Sequence, residues 1–171
     1  GVGTTHFCVL AANYLSGYLR KKTALLEWNG HGDLERMEKI CTGRNKKEGS
    51  FNLLDVSYYK NAGSEQLTDC MEAGFQCIVV DFGVWSKEKS KELVLCGKRI
   101  LIGSFTEWQE KDFLSILTEE KGWTYGAVFG SRERKEEVKK KIKTPVLLIP
   151  YHEDAFSVTP VLIPFFQELF R

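Results

Sequence analysis

The sequence predicts an α/β fold, a three-layer sandwich built on a mostly parallel sheet. Short, solidly apolar runs alternate along the chain with longer helical patterns, and no internal repeat interrupts this order. Several runs are rich in β-branched residues without alternating apolar and polar positions, which is typical of strands buried on both faces. The 171 residues suit one domain of the usual size, about 100–200 residues. We therefore expect a single domain over residues 1–171.

Six apolar runs are predicted as strands: Thr23–Glu27, Phe51–Tyr59, Cys77–Asp81, Arg99–Gly103, Thr124–Phe129 and Val146–Ile149. Helical patterns fill the intervals between them. Thr5–Leu19 carries its apolar residues along one helical stripe. Ser64 is expected to cap a helix that runs through Ala73. Arg132–Ile142 is expected to be a solvated, highly charged helix, and a last helix is expected to begin near Pro160 or Pro164.

Composition excludes several classes of protein. The chain carries 24 basic and 23 acidic side chains, a net charge of +1, so it gives no electrostatic indication of nucleic-acid binding. No run approaches the ~18 apolar residues of a transmembrane helix. Five cysteines without a Cys-x-x-Cys pair argue against a disulfide framework or a zinc site. We expect buried thiols in a reducing compartment, and hence a cytoplasmic protein.

A glycine-rich turn leads directly into the first helix. Its residues are Gly1, Val2, Gly3, Thr4, Thr5 and His6. Glycine permits positive φ, and consecutive backbone N–H groups at a helix N-terminus form a site for an anion. The turn is therefore predicted to bind phosphate, with the Thr5 hydroxyl placed to ligate Mg²⁺. A plain turn and helix cap would have a similar sequence.

Asp81 ends the most apolar of the predicted strands, Cys77–Asp81. A carboxylate at the tip of a buried strand, beside a glycine turn, is placed as a Walker B acid that holds Mg²⁺ through water. The alternative is an Asp that starts a turn at Phe82-Gly83. The Asp-Phe-Gly string does not indicate a protein kinase, because no His-Arg-Asp loop precedes it and the chain is too short.

These segments, in this order, resemble the MinD/ParA family of P-loop ATPases. Gly1–Leu19 resembles the family's deviant phosphate loop and first helix, and Lys22–Asp33 resembles its second strand and switch I. Phe75–Gly83 resembles the Walker B strand. Lys143–Tyr151 resembles the late strand whose Ile-Pro segment approaches the adenine. The resemblance implies ATP or ADP with Mg²⁺, and contacts to the base at Pro150 and Tyr151.

Within that family the pattern best fits the CpaE/TadZ proteins of pilus assembly. This resemblance implies a localisation or assembly factor that lies at the periphery of an envelope machine. It also implies a protein partner, for which a second copy of the chain is one candidate. The family's signature lysine and a first strand would both lie before Gly1.

Four residues depart from the family's pattern. Thr4 stands where the loop lysine would reach the phosphates, and His6 replaces a usual Ser or Thr. Glu27 and Asn29 stand at the two switch I acids, so Asn29 is the residue expected to orient the attacking water. Phosphoryl transfer depends on positioning and on stabilisation of charge. Loss of a cation and an acid therefore predicts at most a weak ATPase.

Two other hypotheses remain open at this stage. One is a pseudo-NTPase interaction module that has kept the fold and no longer binds nucleotide, which His6 or Trp28 filling the phosphate hollow would favour. The other is an active ATPase or nucleotide kinase. His31 and Asp33 offer half of a metal site, but we interpret Asp33 as the cap of the helix that follows it.

Overall fold

The computed structural model describes residues 2–43, 47–119 and 122–171. These residues form two compact units. The first comprises residues 3–86 and 154–159, and the second comprises Val2, residues 87–153 and residues 160–171. Each unit contains one β-sheet, of four strands in the first and three in the second. The expectation of a single domain stays a prediction.

The sheet of the first unit is mostly parallel. Its strands are β1 (Thr23–Glu27), β2 (Ser50–Leu53), β3 (Val56–Tyr59) and β4 (Cys77–Asp81), in the order β2-β3-β1-β4. Strand β1 runs parallel to both β3 and β4, whereas β2 runs antiparallel to β3. The helices are α1 (Thr4–Asn13), α2 (Asp33–Thr42) and α3 (Ser64–Glu72). A π-helical turn over Tyr14–Tyr18 continues α1.

Helices cover both faces of this sheet. All five residues of β1 are buried, because their side chains alternate between two apolar layers. Ala24 and Leu26 pack with Leu67 of α3 on one face. Leu25 packs with Cys8 of α1 on the other face. The predicted arrangement of mostly parallel strands between helical layers is therefore confirmed in this unit.

Two local expectations were wrong. The run Phe51–Tyr59 is not one strand: β2 and β3 form a hairpin whose turn is Leu54-Asp55, with Leu54 at a φ of 52°. The pairing stacks the rings of Phe51 and Tyr58, whose centroids lie 5.1 Å apart. Ser64 is the first residue of α3 and not its cap, since Gly63 precedes the helix and donates its N–H to the Gln66 side chain.

The second unit has a fully parallel sheet. Its strands are β5 (Ile100–Ser104), β6 (Thr124–Val128) and β7 (Val146–Leu148), in that order. A 3₁₀ turn (Lys87–Lys89) precedes α4 (Ser90–Leu93), and the other helices are α5 (Glu110–Glu119), α6 (Arg132–Ile142) and α7 (Leu162–Leu169). The Ser131 side chain caps α6 by accepting the N–H of Arg134. Strand, helix and strand alternate here as the sequence predicted.

An ion pair is buried in the first unit. The ammonium of Lys60, which follows β3, lies 2.7 Å from a carboxylate oxygen of Glu38 on α2, and their side chains are 8% and 1% exposed. A buried charge that loses its partner retains the cost of its desolvation. The pair therefore fixes α2 relative to the hairpin.

Replacement of Lys60 by Met should lower the free energy of unfolding by about 3–5 kcal/mol, because Glu38 would stay buried without its counter-ion. Urea denaturation measures the change. Lys39→Met, on the exposed side of α2, is the matched control and should change stability by at most about 0.5 kcal/mol. Equal effects of the two substitutions would contradict a structural role for the pair.

Alkaline pH should destabilise the first unit. Burial raises the pKa of Tyr58 from 10.0 to about 12. Between those two values the unfolded state loses the phenolic proton while the folded state keeps it. Stability should therefore fall by about 1.4 kcal/mol per pH unit from this group alone. Tyr58→Phe should reduce the slope of stability against pH over that interval, and Tyr151→Phe at an exposed position should not.

Candidate functional site

The glycine turn of the sequence lies at the N-terminus of α1. Gly3 adopts the left-handed conformation (φ 83°), which glycine takes without strain, and its carbonyl accepts the N–H of Phe7 at 3.0 Å. Backbone N–H groups in the first turn of a helix have no partner within the helix and lie at the positive end of its dipole. Val2 is half-buried, and Gly1 lies outside the described residues.

The structure brings Thr5 and Asp81 together. The Thr5 hydroxyl donates to Asp81 Oδ2 at 2.7 Å, and Asp33 Oδ2 lies 3.3 Å from the same hydroxyl. Asp81 is the last residue of β4, so the carboxyl end of this strand meets the N-terminus of α1. The opening turn and Asp81 are therefore neighbours in the structure, as the sequence predicted.

Asp81 is held rigidly in this position. Its side chain is buried, and its second oxygen, Oδ1, accepts the N–H of Gly83 at 2.8 Å. Gly83 has a φ of 66°, and a Cβ at that position would lie 2.7 Å from the Cβ of Asn29. Any other residue at 83 would be strained and would displace the loop after β1.

Glu27 has a structural role at the end of β1. It pairs with Asp81 in the β1–β4 register and is fully buried. Its Oε1 accepts the backbone N–H groups of Asp33 at 2.6 Å and Leu34 at 3.3 Å. Oε2 is buried and has no hydrogen-bond partner among the described residues. Glu27 therefore supplies the N-terminal acceptor of α2 from a neighbouring strand.

The interpretation of Asp33 as a helix cap was wrong. Gly32 is the capping residue of α2, and Asp33 is the first helical residue. Because Glu27 accepts the first N–H groups of α2, the Asp33 carboxylate is available for other contacts. Its Oδ1 accepts from Arg36 at 2.7 Å, and its Oδ2 faces Thr5. Sequence reasoning missed Asp33 as a member of this cluster.

Asn29 is bound into the loop after β1 at both ends of its amide. Its Nδ2 donates to the carbonyl of Asp81 at 3.3 Å, and its Oδ1 accepts the N–H of His31 at 2.9 Å. These contacts hold the loop against the end of β4. The assignment of Asn29 as the residue that orients water stays a prediction.

Trp28 does not contribute to the α1 face of the sheet. Its ring packs on Phe82, with centroids 5.4 Å apart, and it belongs to the apolar layer beneath α3. Thr4 and His6 are half-buried in the first turn of α1. Pro150 and Tyr151 follow β7 in the second unit, where Pro150 is half-buried and Tyr151 is exposed. Contact of these two residues with a base stays a prediction.

The electrostatic effect of Asp81 extends to the interior of α1. Burial and then the negative charge of Asp81 raise the pKa of the Cys8 thiol well above its usual value. Cys8 is therefore a buried, protonated thiol at neutral pH. It lies about one helical turn beyond Thr5 and packs in the apolar core between α1 and the sheet.

Comparisons with known proteins give a fold and no family. No family model and no curated protein matches the sequence. The MinD cell division protein of Aquifex aeolicus matches the structure with a TM-score of 0.61 at 15% identity, covering 96% of this chain and 81% of that one. The chain has a MinD-like fold. The MinC:MinD cell division protein complex of the same organism matches with a TM-score of 0.59 at 14% identity, covering 98% and 81%.

Residues 2–43, 47–119 and 122–171 contain neither a three-ligand metal cluster nor a helix able to span a membrane. No three His, Cys, Asp or Glu side chains in these ranges converge as ligands for a metal ion. None of the helices described there combines the length and the apolar character needed to cross a bilayer.

Replacement of Thr5 by Val should destabilise the protein by about 1–3 kcal/mol, because the buried Asp81 carboxylate would lose a hydrogen-bond donor. Thermal or urea unfolding measures the loss. Thr5→Ser keeps the hydroxyl and should recover most of the stability. Thr4→Val makes the same change one residue earlier and should cost little, so an equal loss in both Val variants would contradict this account.

Proposed function

We propose that this chain binds ATP or ADP with Mg²⁺ and uses the nucleotide as a structural switch, with little or no hydrolysis. One observation carries the proposal: the hydroxyl of Thr5, in the first turn of α1, donates to the buried Asp81 carboxylate at the end of β4. In this arrangement an anion at the helix N-terminus and a cation at the carboxylate would be neighbours. The MinD-like fold supports the same assignment.

The turn over residues 2–6 would hold the phosphates. The left-handed Gly3 shapes the turn, and the helix dipole of α1 favours negative charge there. Mg²⁺ would add charge neutralisation, held by the Thr5 hydroxyl and by Asp81 through water. These are hard oxygen donors, which fit the preferences of Mg²⁺. Pro150 and Tyr151 are the proposed contacts for the base.

Weak hydrolysis follows from the residues present. Thr4 offers no positive charge to the phosphates, and one lost electrostatic contact commonly costs about 2.7–4 kcal/mol of barrier. Glu27 is buried and serves α2, so it does not contribute an acid to the reaction. Asn29 is a poor base, and both ends of its amide contact the loop backbone or Asp81.

The biological role proposed is that of a localisation or assembly factor in the cytoplasm, of the CpaE/TadZ type of pilus assembly. A protein partner is part of this proposal, because the MinC:MinD complex is among the similar structures. A second copy of the chain and an envelope machine are the partners that the sequence resemblance suggests. The same proposal treats the turn before α1 as the deviant type of phosphate loop found in the MinD/ParA family.

An interaction module that no longer binds nucleotide is the second candidate. The position of Glu27 favours it, because a residue that the resemblance aligns with a switch acid is buried as part of the architecture. One observation opposes it. The Trp28 ring packs on Phe82 beneath α3, on the opposite face of the sheet from α1, so it does not fill the turn at Thr5.

Nucleotide should raise the melting temperature of the 171-residue chain. At a ligand concentration about 100-fold above Kd the stabilisation is about 2.7 kcal/mol, which corresponds to a rise of about 5–10 °C for a chain of this size. Differential scanning fluorimetry with ADP and Mg²⁺ measures it. Adenosine is the matched ligand without phosphates and should give no rise.

Phosphate release from ATP, measured in parallel, should stay at background. Absence of any thermal shift at millimolar ADP and ATP would overturn nucleotide binding and favour the interaction module. Turnover that Asp81→Ala abolishes would instead show an active ATPase.

A further inference from the structure

We propose that Asp33 is the second carboxylate of the Mg²⁺ site, acting from the first turn of α2 together with Asp81 and the Thr5 hydroxyl. The inference rests on the proposed function. The sequence resemblance placed the two switch I acids at Glu27 and Asn29, and it gave Asp33 no part in binding Mg²⁺. Asp33 lies 28 positions from Thr5 in sequence, yet its Oδ2 is 3.3 Å from the Thr5 hydroxyl.

The Thr5 hydroxyl faces more acceptors than it can satisfy. A hydroxyl has one proton to donate, and the contact with Asp81 at 2.7 Å is much shorter than the contact with Asp33 at 3.3 Å. Asp33 Oδ2 therefore faces a second carboxylate across one shared hydroxyl. Two carboxylates that contact one hydroxyl repel one another when both are ionised, and a divalent cation would stabilise both.

The backbone and side chain of Asp33 are fixed so that Oδ2 points to this cluster. Glu27 Oε1 accepts the Asp33 N–H at 2.6 Å, and Arg36 donates to Oδ1 at 2.7 Å. The Arg36 side chain is 69% exposed, and such exposed pairs contribute little energy. Arg36 contacts Oδ1, so Oδ2 is the oxygen that faces Thr5.

A buried oxygen of Glu27, next to the cluster in the strand register, lacks a hydrogen-bond partner among the described residues. Glu27 lies between the two aspartates, since it pairs with Asp81 in register and accepts from Asp33. Its Oε2 is buried with no hydrogen-bond partner among the described residues. A buried polar oxygen in this state calls for a proton, a water molecule or an ion nearby. Glu27 is a positioning residue for Asp33 in this scheme.

The donor set suits Mg²⁺ bound together with phosphate. Mg²⁺ retains several waters and is commonly held by one or two carboxylates plus the phosphates of a substrate. One hydroxyl and two carboxylates provide that share of the ligands from three elements, α1, β4 and α2.

The test compares ADP affinity by isothermal titration calorimetry in Mg²⁺ and in EDTA, using the full 171-residue chain. Asp33→Asn should lose most of the Mg²⁺-dependent gain in ADP affinity, by about 10-fold or more. In EDTA the same variant should bind ADP as tightly as the wild type or more tightly, because a negative charge near the phosphates is gone. A loss of ADP affinity in Mg²⁺ without a loss in EDTA separates a cation ligand from a residue that merely supports the fold.

Glu35→Gln is the matched control, because Glu35 is the other acid in the first turn of α2. It removes the same charge from the same helix end and should leave the Mg²⁺-dependent gain unchanged. Asp33→Ser is a second variant, in case Asn alters the folding of α2, and it should show the same loss.

The outcomes distinguish this inference from the proposed function. An unchanged Mg²⁺ gain in both Asp33 variants, or ADP binding by the wild type with no Mg²⁺ gain, overturns the inference and leaves nucleotide binding intact. An equal loss of affinity in Mg²⁺ and in EDTA also overturns it, since Asp33 would then act on the fold or on the nucleotide itself. No ADP binding by the wild type in either condition overturns both.

Discussion

One hydroxyl proton joins three elements of the first unit. The Thr5 hydroxyl on α1 donates to Asp81 at the end of β4, and Asp33 Oδ2 on α2 lies 3.3 Å from the same hydroxyl. The rest of the candidate site depends on this contact, because it fixes where the N-terminus of α1 lies relative to the sheet. An anion at the helix end and a cation at the carboxylates would occupy adjacent positions only while this arrangement holds.

Glu27 explains how α2 reaches the cluster. A strand residue that is fully buried accepts the first N–H groups of the helix, so the helix begins at a defined distance from β1. Glu27 is therefore part of the architecture that positions α2. Its other oxygen, Oε2, is buried and has no hydrogen-bond partner among the described residues.

The glycines around the cluster are required by the backbone for specific reasons. Gly3 adopts a left-handed conformation before α1. Gly83 does so where a Cβ would contact the side chain of Asn29. The loops after β1 and β4 are consequently packed against each other, with Asn29 donating to the carbonyl of Asp81. These two packed loops are therefore suited to hold a ligand in one fixed geometry.

The sequence by itself determined the α/β class, most of the strand and helix positions, and the pairing of a glycine turn with Asp81, since these follow from local periodicity and from residues next to strand ends. It did not reveal the hairpin within Phe51–Tyr59, because the turn puts Leu54 at a positive φ where Gly or Asn is usual, and Asp55 alone is a weak turn signal. It also misplaced Asp33, which lies 28 residues from Thr5. That contact depends on Glu27 accepting the first N–H groups of α2. Only the tertiary packing of β1, α1 and α2 decides that Glu27 contacts the α2 backbone while Asp33 faces Thr5.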